Sequence, residues 1–171
     1  MTTDAIEIRL ARAKDAPAIA DVHDASWRHA YRGMIPGSAL EQMIERRGPS
    51  WWAHAIARRT RIVVLSFGGA IAGYATYGRN RAADPAHEGE IFELYLRPEY
   101  QGLGFGRRLF TAVRRDLSGH NIKGLVVWAL ADNKSACGFY ERLGGQKIDR
   151  AMEVFGERQL PKIAFGWRDA P

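Results

Sequence analysis

Glu93-Leu94-Tyr95-Leu96-Arg97-Pro98-Glu99-Tyr100-Gln101-Gly102-Leu103-Gly104-Phe105-Gly106-Arg107-Arg108-Leu109 runs from a strand, through a glycine loop, into a helix. Glu90 to Leu96 is rich in aromatic and apolar residues and ends at Pro98, as a strand does. From Arg107 to Leu117 the apolar residues Leu109, Phe110 and Val113 fall on one helical face. Glycines between a strand and a helix let backbone N–H groups approach a ligand with no Cβ in the way. The helix start adds N–H groups with no partner in the helix and a partial positive charge. Together these make a cradle for phosphate. Each such contact contributes only about 0.3–1 kcal/mol when exposed, so several must act together.

Two phosphate-binding loops are excluded by spacing. A GxxxxGK(S/T) loop needs Lys and Ser or Thr after its last glycine, where this chain has Arg107 and Arg108. A GxGxxG fingerprint needs a glycine where Arg107 stands, counting from Gly102, or Leu109, counting from Gly104.

Outward from the loop, the chain reads as alternating elements. Ile6, Ile8 and Leu10 alternate with Glu7 and Arg9, a first strand. Asp15 is placed to cap a helix running to about Trp27, with Pro17 in its first turn. Further helical stretches are predicted over Ser38 to Arg47 and around Trp51 to Arg58. Arg61 to Ser66 and Ala70 to Tyr77 form strands of a hairpin turned at Gly68-Gly69. Asn80 to His87 reads as a loop. Leu125 to Leu130 (LVVWAL) is a buried strand, Asn133 to Leu143 a helix stopped by Gly144-Gly145. Strands over Lys147 to Val154 and Leu160 to Trp167 flank a turn at Gly156. The order predicts a mixed α/β sheet covered by helices in a single domain over 1–171.

Bulk composition sets the class. Of 171 residues, 46% are hydrophobic and 26% charged, which is ordinary for a packed domain. No apolar run approaches the roughly 20 residues of a membrane span. Met1 to Ala5 carries an acid and lacks the apolar stretch of a secretory signal. The single cysteine, Cys137, permits no internal disulfide, so a reducing cytoplasmic location is expected. The net charge of +6 suits a partner with several phosphates. The arginines are scattered in short pairs, which disfavours nucleic acid as the main partner. No His, Cys or Asp cluster has metal-ligand spacing, so no metal is expected.

The glycine segment resembles the acetyl-CoA signature of the GNAT superfamily of N-acetyltransferases. That signature is Gln or Arg, two free positions, Gly, one free position, then Gly or Ala; Gln101, Gly104 and Gly106 match it. About thirty residues on, Asn133-Lys134-Ser135-Ala136-Cys137-Gly138-Phe139-Tyr140-Glu141-Arg142-Leu143-Gly144-Gly145 resembles the Asn-to-Gly helix of the same family. The resemblance implies the family fold: a mostly antiparallel seven-stranded sheet in the order β-α-α-β-β-β-α-β-α-β-β. It also implies acetyl-CoA as co-substrate, a primary amine as acceptor, and a homodimer through the C-terminal strands.

Roles follow from the resemblance residue by residue. Leu94, Tyr95 and Leu96 would carry a bulge whose unpaired backbone groups hold the pantetheine arm and polarise the thioester carbonyl. The diphosphate would sit on Gln101, Gly102, Leu103, Gly104, Phe105, Gly106 and Arg107. Asn133 would contact the coenzyme arm or simply cap its helix. Tyr140 would protonate the departing thiolate, or serve only as a core tyrosine. Some family members place a catalytic Glu on the strand before the Asn motif; here Val126-Val127-Trp128-Ala129-Leu130 has no carboxylate.

Magnitudes rank the chemical tasks. A thiol of pKa about 8.5 leaves readily near neutral pH, whereas a lysine-like amine of about 10.4 must lose a proton at a cost of roughly 4 kcal/mol. A general base should therefore matter more than the acid. Glu93 is the first candidate and Glu90 the reserve. On the acceptor side, Trp27 and Tyr31 are four apart and share a helical face, either as an aromatic wall or as packing. His29 is a weaker candidate base, and Cys137 reads as packing filler. Acceptors consistent with this are a small amine (antibiotic, polyamine or amino-acid-like) or a peptide amine. A regulatory module that binds acyl-CoA without turnover, and a tRNA-directed enzyme, are the competing classes.

Overall fold

The computed structural model describes residues 5–169; of the stretch Met1 to Ala5 read for a secretory signal, all but Ala5 lies outside them. The elements are β1 (Ile6–Leu10), α1 (Ala16–Tyr31), α2 (Gly37–Arg46), α3 (Pro49–Ala57), β2 (Arg61–Phe67), β3 (Ala70–Arg79) and β4 (Gly89–Leu96). They continue with α4 (Phe105–Gly119), β5 (Leu125–Leu130), α5 (Lys134–Arg142), β6 (Gln146–Phe155) and β7 (Arg158–Trp167). Seven strands form one sheet in the order β1-β2-β3-β4-β5-β7-β6. Among the described pairs only β4 with β5 is parallel. The expected mixed, mostly antiparallel α/β sheet is therefore present. Three α-helices separate β1 from β2, as the three predicted helical stretches require and one more than the family order implies; Gly48-Pro49 parts α2 from α3.

Strand β2 shows how the core is shared. Val63 and Leu65 face α4 and join Leu109, Phe110 and Val113. Ile62 and Val64 face α1 and α3 and join Ile19, Val22 and Trp52. A continuous apolar run is what a strand covered on both faces requires. Each such side chain contributes about 1.5–3 kcal/mol by burial. A third cluster brings α2 residues Ala39, Leu40 and Ile44 against Leu130, Phe155 and Leu160. Strand β6, at the sheet edge, is exposed over most of its length, including Ile148, Met152 and Val154.

One local expectation is corrected. Asp15 does not cap α1 with its side chain. Its carboxylate instead takes two bonds from the Arg9 guanidinium, at 2.7 and 2.9 Å, and one from the Arg12 N–H at 2.7 Å. A charge-assisted fork outcompetes a single backbone donor. Helix α1 also runs a full turn beyond Trp27, to Tyr31.

Candidate active site

The parallel ladder between β4 and β5 has only three rungs, the last being Ile91 with Val127. Beyond it, residues 92–96 and 128–130 diverge, so one edge of each strand is unpaired. On its other edge β4 stays paired with β3, and the register slips where Tyr77 meets Ile91 and Thr76 meets Glu93. Phe92 is therefore the bulged residue. The extra residue lies where the β5 ladder stops, just ahead of Leu94, Tyr95 and Leu96, and it re-aims the strand that follows. The Leu96 carbonyl accepts a bond from Ser26 Oγ at 2.9 Å, which ties α1 to the end of β4.

The glycine loop sits just past the open end of this fork. Gly102 and Gly104 have φ of 79° and 80°, the left-handed region that favours glycine. A Cβ on Gly104 would touch nothing within 4 Å, so its need there is conformational. Gly104 precedes α4 without a side-chain cap. Among the described residues, no backbone bond outside the helix itself uses an N–H of residues 102–107. Gly106 is required for a different reason: its Cβ would lie 3.1 Å from the Phe139 ring, which lets α4 and α5 approach closely. Gln101, Leu103 and Arg107 are exposed, whereas the Phe105 side chain is in the core beside Phe67 and can offer only its backbone.

Asn133, at the N-cap of α5, and Tyr140, within α5, are both buried. The Asn133 Oδ1 accepts from Ala136 N–H at 3.2 Å, so it caps α5. Tyr140 is buried between Phe139, Phe165 and Trp167. Burial pushes its phenol well above the ordinary value, so it stays protonated. Cys137 is buried, donates to the Leu130 carbonyl, and is raised by burial, which is the state of an inert thiol.

The opposite face of β4 carries the charged centre. Glu93 is not a solvated strand glutamate: its side chain is 11% exposed and both oxygens are engaged. Arg47 donates to Oε1 and the Tyr74 hydroxyl to Oε2, each at 2.6 Å. Arg47 in turn lies over Trp51, with its guanidinium carbon 3.8 Å from the ring centroid. Trp27 and Tyr31 stack edge-on at 4.8 Å, as their spacing implied. The Tyr31 and Tyr95 hydroxyls are 2.8 Å apart, so α1 is pinned to β4 at the fork. Burial raises the Tyr31 phenol, partly offset by its bonds to Tyr95 and Asn133. Acceptor-side aromatics and coenzyme-side Asn133 thus meet at one place.

Glu90, the reserve base, lies on the closed part of the fork, buried and bonded to the Arg81 side chain at 2.7 Å and its N–H at 3.1 Å. His29 is exposed. Sequence reading missed His23, Arg47, Tyr74 and Trp52, which surround Glu93. His23 is fully buried, 4.9 Å from Trp27 ring to ring, and burial lowers it to about 4. The spacing of four that links Trp27 to Tyr31 also links His23 to Trp27, a signal that was present. Among the described residues no group of three or more His, Cys, Asp or Glu is placed to hold a metal. No described helix is long and apolar enough to cross a membrane.

Comparison with known proteins agrees with this geometry. The acetyltransferase (GNAT) family model matches residues 18–145. The uncharacterized N-acetyltransferase YuaI of Bacillus subtilis is 28% identical over 165 residues, covering 96% of this chain and 94% of the relative. Spermidine N(1)-acetyltransferase of Thermoplasma acidophilum is 25% identical over 140 residues, 81% of this chain and 87% of the relative. The structure of PaiA N-acetyltransferase from Thermoplasma acidophilum, solved with coenzyme A, aligns with a TM-score of 0.75 at 20% identity, over 92% of this chain and 98% of that one. The strand–glycine loop–helix unit and the Asn133 to Gly145 helix both fall within the matched span, and the chain belongs to the GNAT family of acetyltransferases.

Proposed function

We propose that the protein transfers an acetyl group from acetyl-CoA to the primary amine of a small molecule, by direct attack of the amine. The observation that carries this reading is the open fork after Ile91 and Val127 with the uncapped, glycine-started α4 at its mouth. Unpartnered N–H groups over 102–107 fit a diphosphate, and Arg107, exposed and without an ion pair among the described residues, adds charge. Asn133 and the unpaired edge after Phe92 fit an amide-bearing arm. When bound, the coenzyme would supply an activated acyl carbon and a thiol leaving group.

Glu93 is the proton acceptor for the attacking nitrogen, directly or through a water. As the N–C bond forms and the C–S bond breaks, the amine proton passes to Glu93 and the Tyr140 phenol protonates the leaving sulfur. Both groups then exchange protons with solvent. Trp27, Tyr31 and Tyr95 form the aromatic wall that orients the acceptor. The exposed edge strand β6, with Met152 and Val154, supports a homodimer through the C-terminal strands.

The test is a thiol-release assay with acetyl-CoA and a panel of amines, run on the wild type and on Glu93→Gln. Amine-dependent release in the wild type, reduced about 10²–10⁴-fold in the variant, is the expected result. Acetyl-CoA binding with no turnover across the panel would instead favour a regulatory module.

A further inference from the structure

We infer that the acceptor is a free α-amino acid or a close aminocarboxylate, its amine held at Glu93 and its carboxylate at Arg47. This rests on the reading of Glu93 as the group that faces the amine. Arg47 Nη1 and Glu93 Oε1 are 2.6 Å apart, although the residues are 46 apart in sequence. Only one N–H of the guanidinium is used, so the rest of its donor fork has no partner among the described residues. A plus and a minus charge held side by side, each with bonding capacity left over, are the complement of a zwitterion whose ammonium and carboxylate sit on one carbon. Guanidinium is the group suited to a planar carboxylate.

The surroundings carry the same asymmetry. Four buried side-chain atoms near the pair have no partner among the described residues: His23 Nδ1, Trp27 Nε1, Trp52 Nε1 and Thr76 Oγ1. Trp52 lies with its ring centroid 5.7 Å from the Arg47 guanidinium carbon. Thr76 is the cross-strand neighbour of Glu93, and Glu93 and Arg47 are the charges acting on His23. The two indole N–H groups can only donate, so they call for an acceptor. The indole N–H groups add donors beside the Arg47 guanidinium, which suits a ligand with one anionic group next to its amine. Buried polar atoms left unpaired are costly, so a ligand that engages them is preferred over one that does not.

Charge argues against a polycationic acceptor. A cleft of about 370 Å³ at the turn after α1 is lined by Arg28, Arg32 and Arg158; its one acid, Glu41, is already paired with Arg28. With these arginines at the turn, Arg47 beside Glu93 and a net charge of +6 overall, a spermidine-like chain meets more repulsion than an aminocarboxylate does.

The experiment is the same thiol-release assay with matched substrates: an L-amino acid set, the corresponding decarboxylated amines, alanyl peptides, and spermidine. Wild type, Arg47→Lys and Arg47→Met are compared, with acetyl-CoA affinity by calorimetry as the check that each variant is folded. The expected wild-type preference is at least tenfold in kcat/KM for amino acids over their decarboxylated amines. Arg47→Met should abolish that preference, mainly through KM, and Arg47→Lys should keep part of it. A wild type that prefers spermidine, decarboxylated amines or alanyl peptides overturns the inference while leaving amine acetylation intact. So does an Arg47→Met variant that binds acetyl-CoA normally and still prefers amino acids. Acetyl-CoA binding without release for any amine overturns the proposed function as well.

Discussion

Ile91 on β4 and Val127 on β5 form the last rung of their parallel ladder, and the bulge at Phe92 follows at once. The sheet is thus opened from within at the place where the glycine loop, Asn133 and the Tyr31–Tyr95 hydroxyl pair converge. A fork of this kind exposes backbone donors and acceptors that would otherwise be consumed by pairing, which gives a thioester arm something to bond to without a dedicated side chain.

Gly104→Ala isolates the conformational demand of the loop. The new Cβ touches nothing, yet φ of 80° is the left-handed region, which costs an L-residue about 1–2 kcal/mol. Thermal unfolding should show only that modest loss. Acetyl-CoA affinity by calorimetry should fall about tenfold or more, equivalent to about 1.4 kcal/mol, because relaxation of the loop misaligns its N–H groups. Unchanged affinity would separate the loop from the coenzyme.

Gly106→Val tests the contact between α4 and α5. Its side chain would press on the Phe139 ring, already 3.1 Å from a Cβ at that position. Overpacking should cost about 1–3 kcal/mol in denaturant unfolding. Adding Phe139→Ala should recover part of this, so that the two changes are non-additive. Strictly additive losses would contradict the assigned contact.

His23 gives the fold a pH dependence of known sign. Its folded value is about 4 against 6.5 in the unfolded chain, because burial disfavours the cation. Between those values the unfolded chain binds the extra proton. The stabilisation is therefore complete above about pH 6.5 and is lost as pH falls toward about 4, to a total of about 3 kcal/mol. In His23→Phe, urea midpoints measured over that range should vary less steeply than in the wild type. An equally steep profile would remove His23 as a source.

Tyr140→Phe should lower kcat about 10²-fold with little change in KM, since the phenol is assigned to the leaving sulfur rather than to binding. Burial holds the wild-type phenol protonated well above its ordinary range, so kcat should not decline on the alkaline side up to pH 9 on account of this residue. An unchanged kcat in the variant would leave Tyr140 a packing residue.

Much of the fold was legible because it rests on local chemistry. LVVWAL could only be a buried strand, and its limits, Leu125–Leu130, coincide with the expected ones. The loop around Gly104 could be read because backbone geometry there demands a residue type that sequence displays. The bulge could not, because whether it falls at Phe92 or at Tyr95 is decided by where β5 ends its pairing. The Arg47–Glu93–Tyr74 cluster was also hidden: its members lie on α2's end, β4 and β3, and only the fold brings them within hydrogen-bonding distance. Asp15 misled for the same reason, since its partner Arg9 sits on a strand whose docking against α1 no periodicity encodes.

Amide hydrogen exchange on the wild-type protein, with and without saturating acetyl-CoA, tests the central claim most directly. If the diphosphate rests on the start of α4 and the acyl arm lies in the fork, exchange should slow at residues 102–107 and at 92–96 together. Saturable binding that leaves both segments exchanging as in the free protein would contradict the account.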